Sequence, residues 1–305
     1  MKREFLTQFM ERLIVELERE QRDGTAHVYQ STLKRLKKFA NGREVSFKQL
    51  TPEWLSQFER KLLSDQLKWN SISTYMRTLR SVYNQAVERG IASYIPRLFS
   101  RVHTGIDCQV KRAVSPEVIC RLMTDKKPLP ERLSFTRDMF VLLFLLRGMP
   151  FVDLAFLRKC DLQGNVIVYH RHKTRRKLTV VVCSEAMAII EKYMYPDSPY
   201  LLPIIQDPKQ DEYRQYSRML RLHNYRLRQV GYFLKIREQL STYVARHTWA
   251  TTALRQNYNS SLICDAMGHS SVKVTETYFQ RYREDEVNQL NNALVAFVLS
   301  KKVLC

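Results

Sequence analysis

The sequence predicts a mainly helical protein of two domains, with one small antiparallel β-sheet in the second. Three observations predict it. Most of the chain carries apolar residues at helical spacing between recognisable caps. Val166 to Val182 instead reads as two β-branched runs around a basic turn. The helical period also lapses between Ile95 and Lys111, where a Pro, a Gly and basic residues gather. A chain of 305 residues is long enough for two cores. The expected division is 1–104 for a helical first domain, 105–112 for the linker and 113–305 for the second domain, with linker character starting at about residue 96.

Taken in order, Thr25 can cap a helix running to Phe39, with Val28, Leu33, Leu36 and Phe39 as its apolar positions. Thr51-Pro52-Glu53 opens a second, through Leu63, with Pro in the first turn. Ser71 can cap a long third helix to Arg89, stopped by Gly90. Its stripe is Ile72, Tyr75, Met76, Leu79, Val82, Tyr83 and Ala86. Lys68, Arg77 and Arg80 lie outside or beside that stripe, either as solvated charges or as phosphate contacts.

After the linker, Ser115-Pro116-Glu117 starts another helix, and Met139 to Leu146 reads as a buried helical segment. The hairpin pairs Val166–Tyr169 with Leu178–Val182 across a cationic tip, His170 to Lys177, that includes Lys173 and three expected DNA contacts, Arg171, Arg175 and Arg176. Ser184 caps a helix to Tyr193. Further helices are expected at about 211–230, 241–256, 260–267 and 285–300.

Fifty Lys and Arg against thirty Asp and Glu leave a net charge of +20, which calls for a polyanionic partner. The excess is not a tail: residues 1–105 hold 19 basic and 11 acidic side chains, leaving 31 and 19 for the rest. Two basic domains suit a duplex held from two sides, with affinity falling steeply in salt. The six cysteines show no CxxC pair and no metal-ligand spacing, and read as reduced, mostly buried thiols. The first twenty residues are charged throughout, unlike a signal peptide, and the longest apolar run is too short to span a bilayer. A cytoplasmic, nucleoid-associated protein without membrane contact is expected.

Four features of the second half carry the chemistry. They are Arg246-His247-Thr248, Met267-Gly268-His269, Tyr278 nine residues after that histidine, and Lys173-Thr174 at the hairpin tip. In this order, on a basic two-domain chain, they resemble the tyrosine recombinase (phage integrase) family over nearly the whole length. The string from Tyr243 to Tyr278 is the most specific part. Arg147-Gly148-Met149 and Tyr243 to His247 further resemble a branch found in gut anaerobes of the Bacteroides type.

The resemblance implies a helical core-binding domain followed by a catalytic domain, and DNA cutting and rejoining through a 3′-phosphotyrosine. The chemistry needs a nucleophile, cations on the non-bridging oxygens and an acid for the leaving oxygen. Tyr278 is then the nucleophile, Lys173 the acid, and Arg246 and His269 the phosphate-binding groups. Asp153 falls at the family's acidic position, where it would orient the arginines; the alternative is a helix N-cap ahead of Leu154. No cofactor is implied, since the ester itself stores the bond energy.

Two positions depart from the pattern. The family's first arginine is replaced by Pro150 in Gly148-Met149-Pro150, and Arg147, three residues earlier, is expected to supply the missing guanidinium unless it is a surface arginine. Tyr243 stands where a histidine is usual, and a phenol there reads as a positioning group. His247 reads as packed.

The last helix carries Val287, Leu290, Leu294, Phe297 and Val298 as an apolar stripe, which either folds back or docks on a neighbouring subunit. The resemblance favours docking in trans: a monomer in solution that forms a homotetramer on synapsed double-stranded DNA, with accessory DNA-bending proteins in some systems. Integration, excision, inversion and dimer resolution are not separable by active-site residues. The compact length favours an invertase or small mobile element. Two other readings fit the same residues, a silenced DNA-binding regulator and a type IB topoisomerase.

Overall fold

The structure is a computed structural model that describes residues 4–105, 113–125, 127–279 and 284–301. It divides into two compact units, 1–109 and 110–305. The expected linker, 105–112, lies outside the described residues except for Gly105.

The first unit packs four helices: α1 (Leu6–Arg19), α2 (Asp23–Phe39), α3 (Pro52–Ser64) and α4 (Trp69–Glu88). The charged N-terminal stretch conceals an apolar stripe, and Leu6, Phe9, Met10, Leu13, Ile14 and Leu17 are buried on one face of α1. In α2 the core face is Ala26, Tyr29, Thr32, Leu33 and Leu36, so it is turned from the expected one, and the helix starts at Asp23 rather than behind a Thr25 cap. Tyr29 earns its burial by reaching Ser81 Oγ at 3.0 Å. Thr51 caps α3 as expected, accepting from Trp54 N at 3.1 Å. α4 starts before Ser71. The extended Lys68 presents its carbonyl to the amides of Ser71 and Ile72, at 2.9 and 3.1 Å, which makes it the first acceptor. Leu98, Phe99 and Val102 are buried in this core, so chain from 96 to 102 is domain rather than linker.

The second unit is built around α6 (Glu131–Leu145), where Met139, Phe140, Val141, Leu142 and Leu143 are all buried. A helix apolar on every side belongs at a core centre. Around it stand α5 (Pro116–Thr124), α8 (Ser184–Tyr193), α9 (Glu212–Phe233) and α10 (Thr242–Arg255). A short α7 (Phe151–Phe156) leads into strands β1 (Leu162–Gln163), β2 (Val166–His170) and β3 (Lys177–Val181). They form one antiparallel sheet in sequence order. Ile167 pairs with Val180 and Tyr169 with Leu178, which turns Ile167, Tyr169 and Val180 inward while Val181 faces solvent. The chain ends with α11 (Ser260–Met267), α12 (Val272–Glu276) and α13 (Glu284–Lys301).

Two expectations need correction or limits. Of the cysteines described, Cys120, Cys160 and Cys183 are exposed and only Cys264 is buried, because the first three sit on outer helix faces and turns rather than in apolar stripes. On α13, Val287 and Leu294 are exposed, whereas the side chains of Leu290, Phe297 and Val298 lie outside the described residues. Among the described residues no helix is long and apolar enough to cross a membrane.

Candidate active site

Three elements of the second unit bring the site together: α10, the turn after α11, and the base of the β2–β3 hairpin. Arg246 lies on α10 and is only 2% exposed. Its guanidinium is spent on three acceptors. Nη1 donates to Gly148 O at 2.5 Å, and Nη2 donates to Met267 O at 2.9 Å and to His269 Nε2 at 2.7 Å. Its Nε is buried with no hydrogen-bond partner among the described residues. Burial, and then the neighbouring Arg171 cation, lower its pKa.

His269 is held by the same contact. A guanidinium can only donate, so Nε2 accepts and the proton sits on Nδ1, which donates to Thr275 Oγ1 at 2.9 Å. Burial, followed by Arg246, Arg171 and Lys173, pushes its pKa down to about 3, so the ring is neutral. Gly268 makes the approach possible. It takes φ +66°, and a Cβ there would stand 2.7 Å from Leu178 Cδ1 and 2.9 Å from Arg171 Cδ. Gly148, at φ +65°, likewise lets α10 come close: its Cβ would meet Arg246 Cα at 3.1 Å.

Tyr278 follows α12 and lies over this pair. Its ring stacks on His269 at 4.9 Å, and the Arg246 guanidinium sits 5.3 Å from its centroid. The backbone is fixed from α10, where His247 Nδ1 lies 2.9 Å from Tyr278 O and Thr251 Oγ1 donates to it at 3.4 Å. His247 also packs its ring on Tyr278 at 4.9 Å, so it is a packed residue that positions the tyrosine. The Tyr278 hydroxyl shares a 2.9 Å hydrogen bond with Tyr243 Oη. Desolvation, followed by that bond, pushes the Tyr243 phenol up to about 12.

The remaining candidates divide. Asp153, buried in the first turn of α7, is not an N-cap; Pro150 holds that place. Its carboxylate instead accepts from His172 N at 2.8 Å and Arg171 Nε at 3.3 Å, tying the hairpin to α7. Arg147, at φ +60°, turns to β3 and donates to Thr179 O at 3.2 Å, with no hydrogen bond to Arg246, His269 or Tyr278. Its side chain lines a cavity of about 460 Å³ with Phe144, Trp249 and Leu262. Lys173 is exposed at the hairpin tip.

The hairpin arginines also differ from an open cationic tip. Arg171 is folded inward and 7% exposed. Arg176 reaches His269 O at 2.7 Å and Asp265 at 3.1 Å, while Arg175 is exposed with no side-chain partner among the described residues. In the first unit Lys68 and Arg77 are exposed, whereas Arg80 donates to Thr104 Oγ1 at 3.1 Å and stacks over Phe99. Sequence spacing missed Thr275, which sets the His269 tautomer, and the inward turn of Arg171. Neither follows from a one-dimensional motif.

Comparison with known proteins defines the class. Residues 5–100 match the phage integrase SAM-like domain and residues 112–291 match the phage integrase family. The chain therefore belongs to the phage integrase family, the tyrosine recombinases, and has their two-domain architecture. Among solved structures it resembles the Tn1549 transposon integrase in complex with a circular intermediate DNA, at a TM-score of 0.65 and 13% identity, covering 95% of this chain and 99% of that one. A lambda integrase dimer bound to a COC′ core site gives a TM-score of 0.65 at 13% identity, covering 92% and 98%. A lambda integrase tetramer bound to a Holliday junction gives 0.63 at 11%, covering 93% and 80%. No curated protein matches the chain.

Proposed function

We propose that the protein is a site-specific DNA recombinase that cuts and rejoins duplex DNA through Tyr278. The observation that carries this reading is the packing of Tyr278 against both His269 and Arg246, with its hydroxyl held by Tyr243. A nucleophile poised beside a guanidinium suits attack on a phosphodiester. The Tyr278 oxygen bonds to phosphorus as its proton is lost to solvent. The bond to the 5′-oxygen breaks, and that oxygen takes a proton from Lys173, leaving a 3′-phosphotyrosine and a 5′-hydroxyl. Attack by a 5′-hydroxyl from the partner strand reverses the step.

Tyr243 positions the Tyr278 hydroxyl, and Asp153 fixes the hairpin that carries Lys173. Lys68, Arg77 and Arg175 serve as backbone phosphate contacts, since all three are exposed. Related integrases have been captured on a circular intermediate and, as a tetramer, on a Holliday junction, which supports a tetramer on synapsed DNA here. The exposed Val287, Leu294 and Val295 of α13 support docking of that helix on a neighbouring protomer.

The test is long-read sequencing of the source genome after induction of wild type or of Tyr278→Phe. Rearrangements at paired short repeats with wild type alone establish the enzyme, its sites and its reaction class together. Equal genomes, with DNA binding intact, turn the reading to a silenced regulator. Plasmid relaxation without a specific site turns it to a topoisomerase.

A further inference from the structure

We infer that Arg171, on the hairpin, supplies the second phosphate-binding guanidinium of the active site, in place of the arginine that Pro150 displaces. This rests on the recombinase reading above. Arg171 and Arg246 come from distant parts of the chain, yet both donate to one acceptor, Met267 O, at 3.3 and 2.9 Å. Arg171 Nη1 also reaches Gly268 O at 2.9 Å, and its Nε reaches Asp153 at 3.3 Å. The two guanidiniums therefore meet at one carbonyl, with Arg246 against the Tyr278 ring and Asp153 orienting the hairpin arginine.

The charge balance points the same way. Two guanidiniums lie in a buried cluster with one carboxylate, Asp153, among their hydrogen-bond partners. An uncompensated buried charge is costly, so the cluster lacks an anion. The Arg171 cation lowers the pKa of both Arg246 and His269, which places it within electrostatic reach of both. Arg171 Nη2 has no hydrogen-bond partner among the described residues, and Arg246 Nε is buried without one. Each arginine thus keeps at least one donor nitrogen with no protein acceptor among the described residues, which the non-bridging oxygens of a phosphodiester would satisfy. Arg147, the expected replacement, gives a donor to Thr179 O instead.

The experiment measures covalent Tyr278–DNA complex in single turnover, on a nicked duplex carrying the site that wild type rearranges. Arg171→Ala slows its formation about 10²–10³-fold, the usual loss for one preorganised donor to a developing oxyanion. Arg171→Lys, which keeps the charge without the fork, falls between. A methylphosphonate at the scissile position removes the charge that the guanidinium answers, and on it the Arg171→Ala deficit shrinks toward wild type. Equal deficits on phosphate and methylphosphonate make Arg171 a structural tie and overturn the inference. So does a larger loss with Arg147→Ala than with Arg171→Ala. Thermal melting and binding of the same duplex are measured for each variant. A deficit that tracks lost folding, with no methylphosphonate rescue, likewise counts against it. A wild type that forms no covalent complex on any duplex sinks the recombinase reading and this inference together.

Discussion

Asp153 is the carboxylate that Arg171 meets inside the protein, and it also receives the amide of His172. Removing it strands a buried cation, so Asp153→Ala is expected to cost about 3–5 kcal/mol in denaturant unfolding. Asp153→Asn keeps an acceptor for the amide and should cost less. A second prediction concerns acid. Burial depresses His223, stacked on Phe151, and His269 to about 3 in the folded chain, against an ordinary 6.5. The unfolded chain therefore binds more protons, and stability falls as pH drops from 6.5 toward 3. Each histidine contributes a slope of at most about 1.4 kcal/mol per pH unit in that window. His223→Phe should flatten the slope measured by urea unfolding at stepped pH; an unchanged slope contradicts the assignment. The residues themselves were legible because Arg246, His269 and Tyr278 stand in a specific order. Arg171 was legible only as a DNA contact, since hairpin sequence gives the charge of a side chain and not whether it turns inward.

At the scale of elements, Gly268 is where α11, the hairpin and the site meet. Its left-handed backbone and the closeness of Leu178 and Arg171 leave no room for a methyl group. Gly268→Ala should destabilise by about 1–3 kcal/mol and slow cleavage further by displacing Arg171, which melting and single-turnover cleavage on one preparation would separate. The hairpin and most helices were legible, because β-branched alternation and caps such as Thr51-Pro52 are local signals. α12 was not. A helix of five residues is too short to show a period, and it exists to bring Thr275 under His269. The face of α2 was misread for a related reason: Tyr29 and Thr32 are buried by hydrogen bonding as well as packing, and apolar counting overlooks them.

For the whole molecule, the +20 charge predicts a steep salt response. With on the order of 6–10 phosphates neutralised, DNA affinity should fall about 10³–10⁵-fold between roughly 50 and 200 mM salt, as gel-shift titration would show. A flat response would contradict backbone-dominated binding. Deleting the chain after Asn288 should abolish recombination while half-site binding survives, if α13 acts between protomers; loss of both argues for folding back. The basic balance and two-domain division were readable from composition and the lapse in periodicity. The linker character placed from about residue 96 was misread, because Leu98, Phe99 and Val102, inside the expected 1–104 domain, pack without a regular repeat.

One helix joins the apolar cavity to the two arginines. The middle of α11 contributes Leu262, Ile263 and Ala266 to the wall of the cavity beside Trp249, and its last carbonyl, Met267 O, is the one that both arginines grip. The cavity wall and the gripped carbonyl thus belong to one short helix. Any displacement of this helix moves the shared acceptor of both arginines together. Filling the cavity from within, by Ala266→Leu, should therefore change cleavage rate while leaving the affinity for DNA as it was.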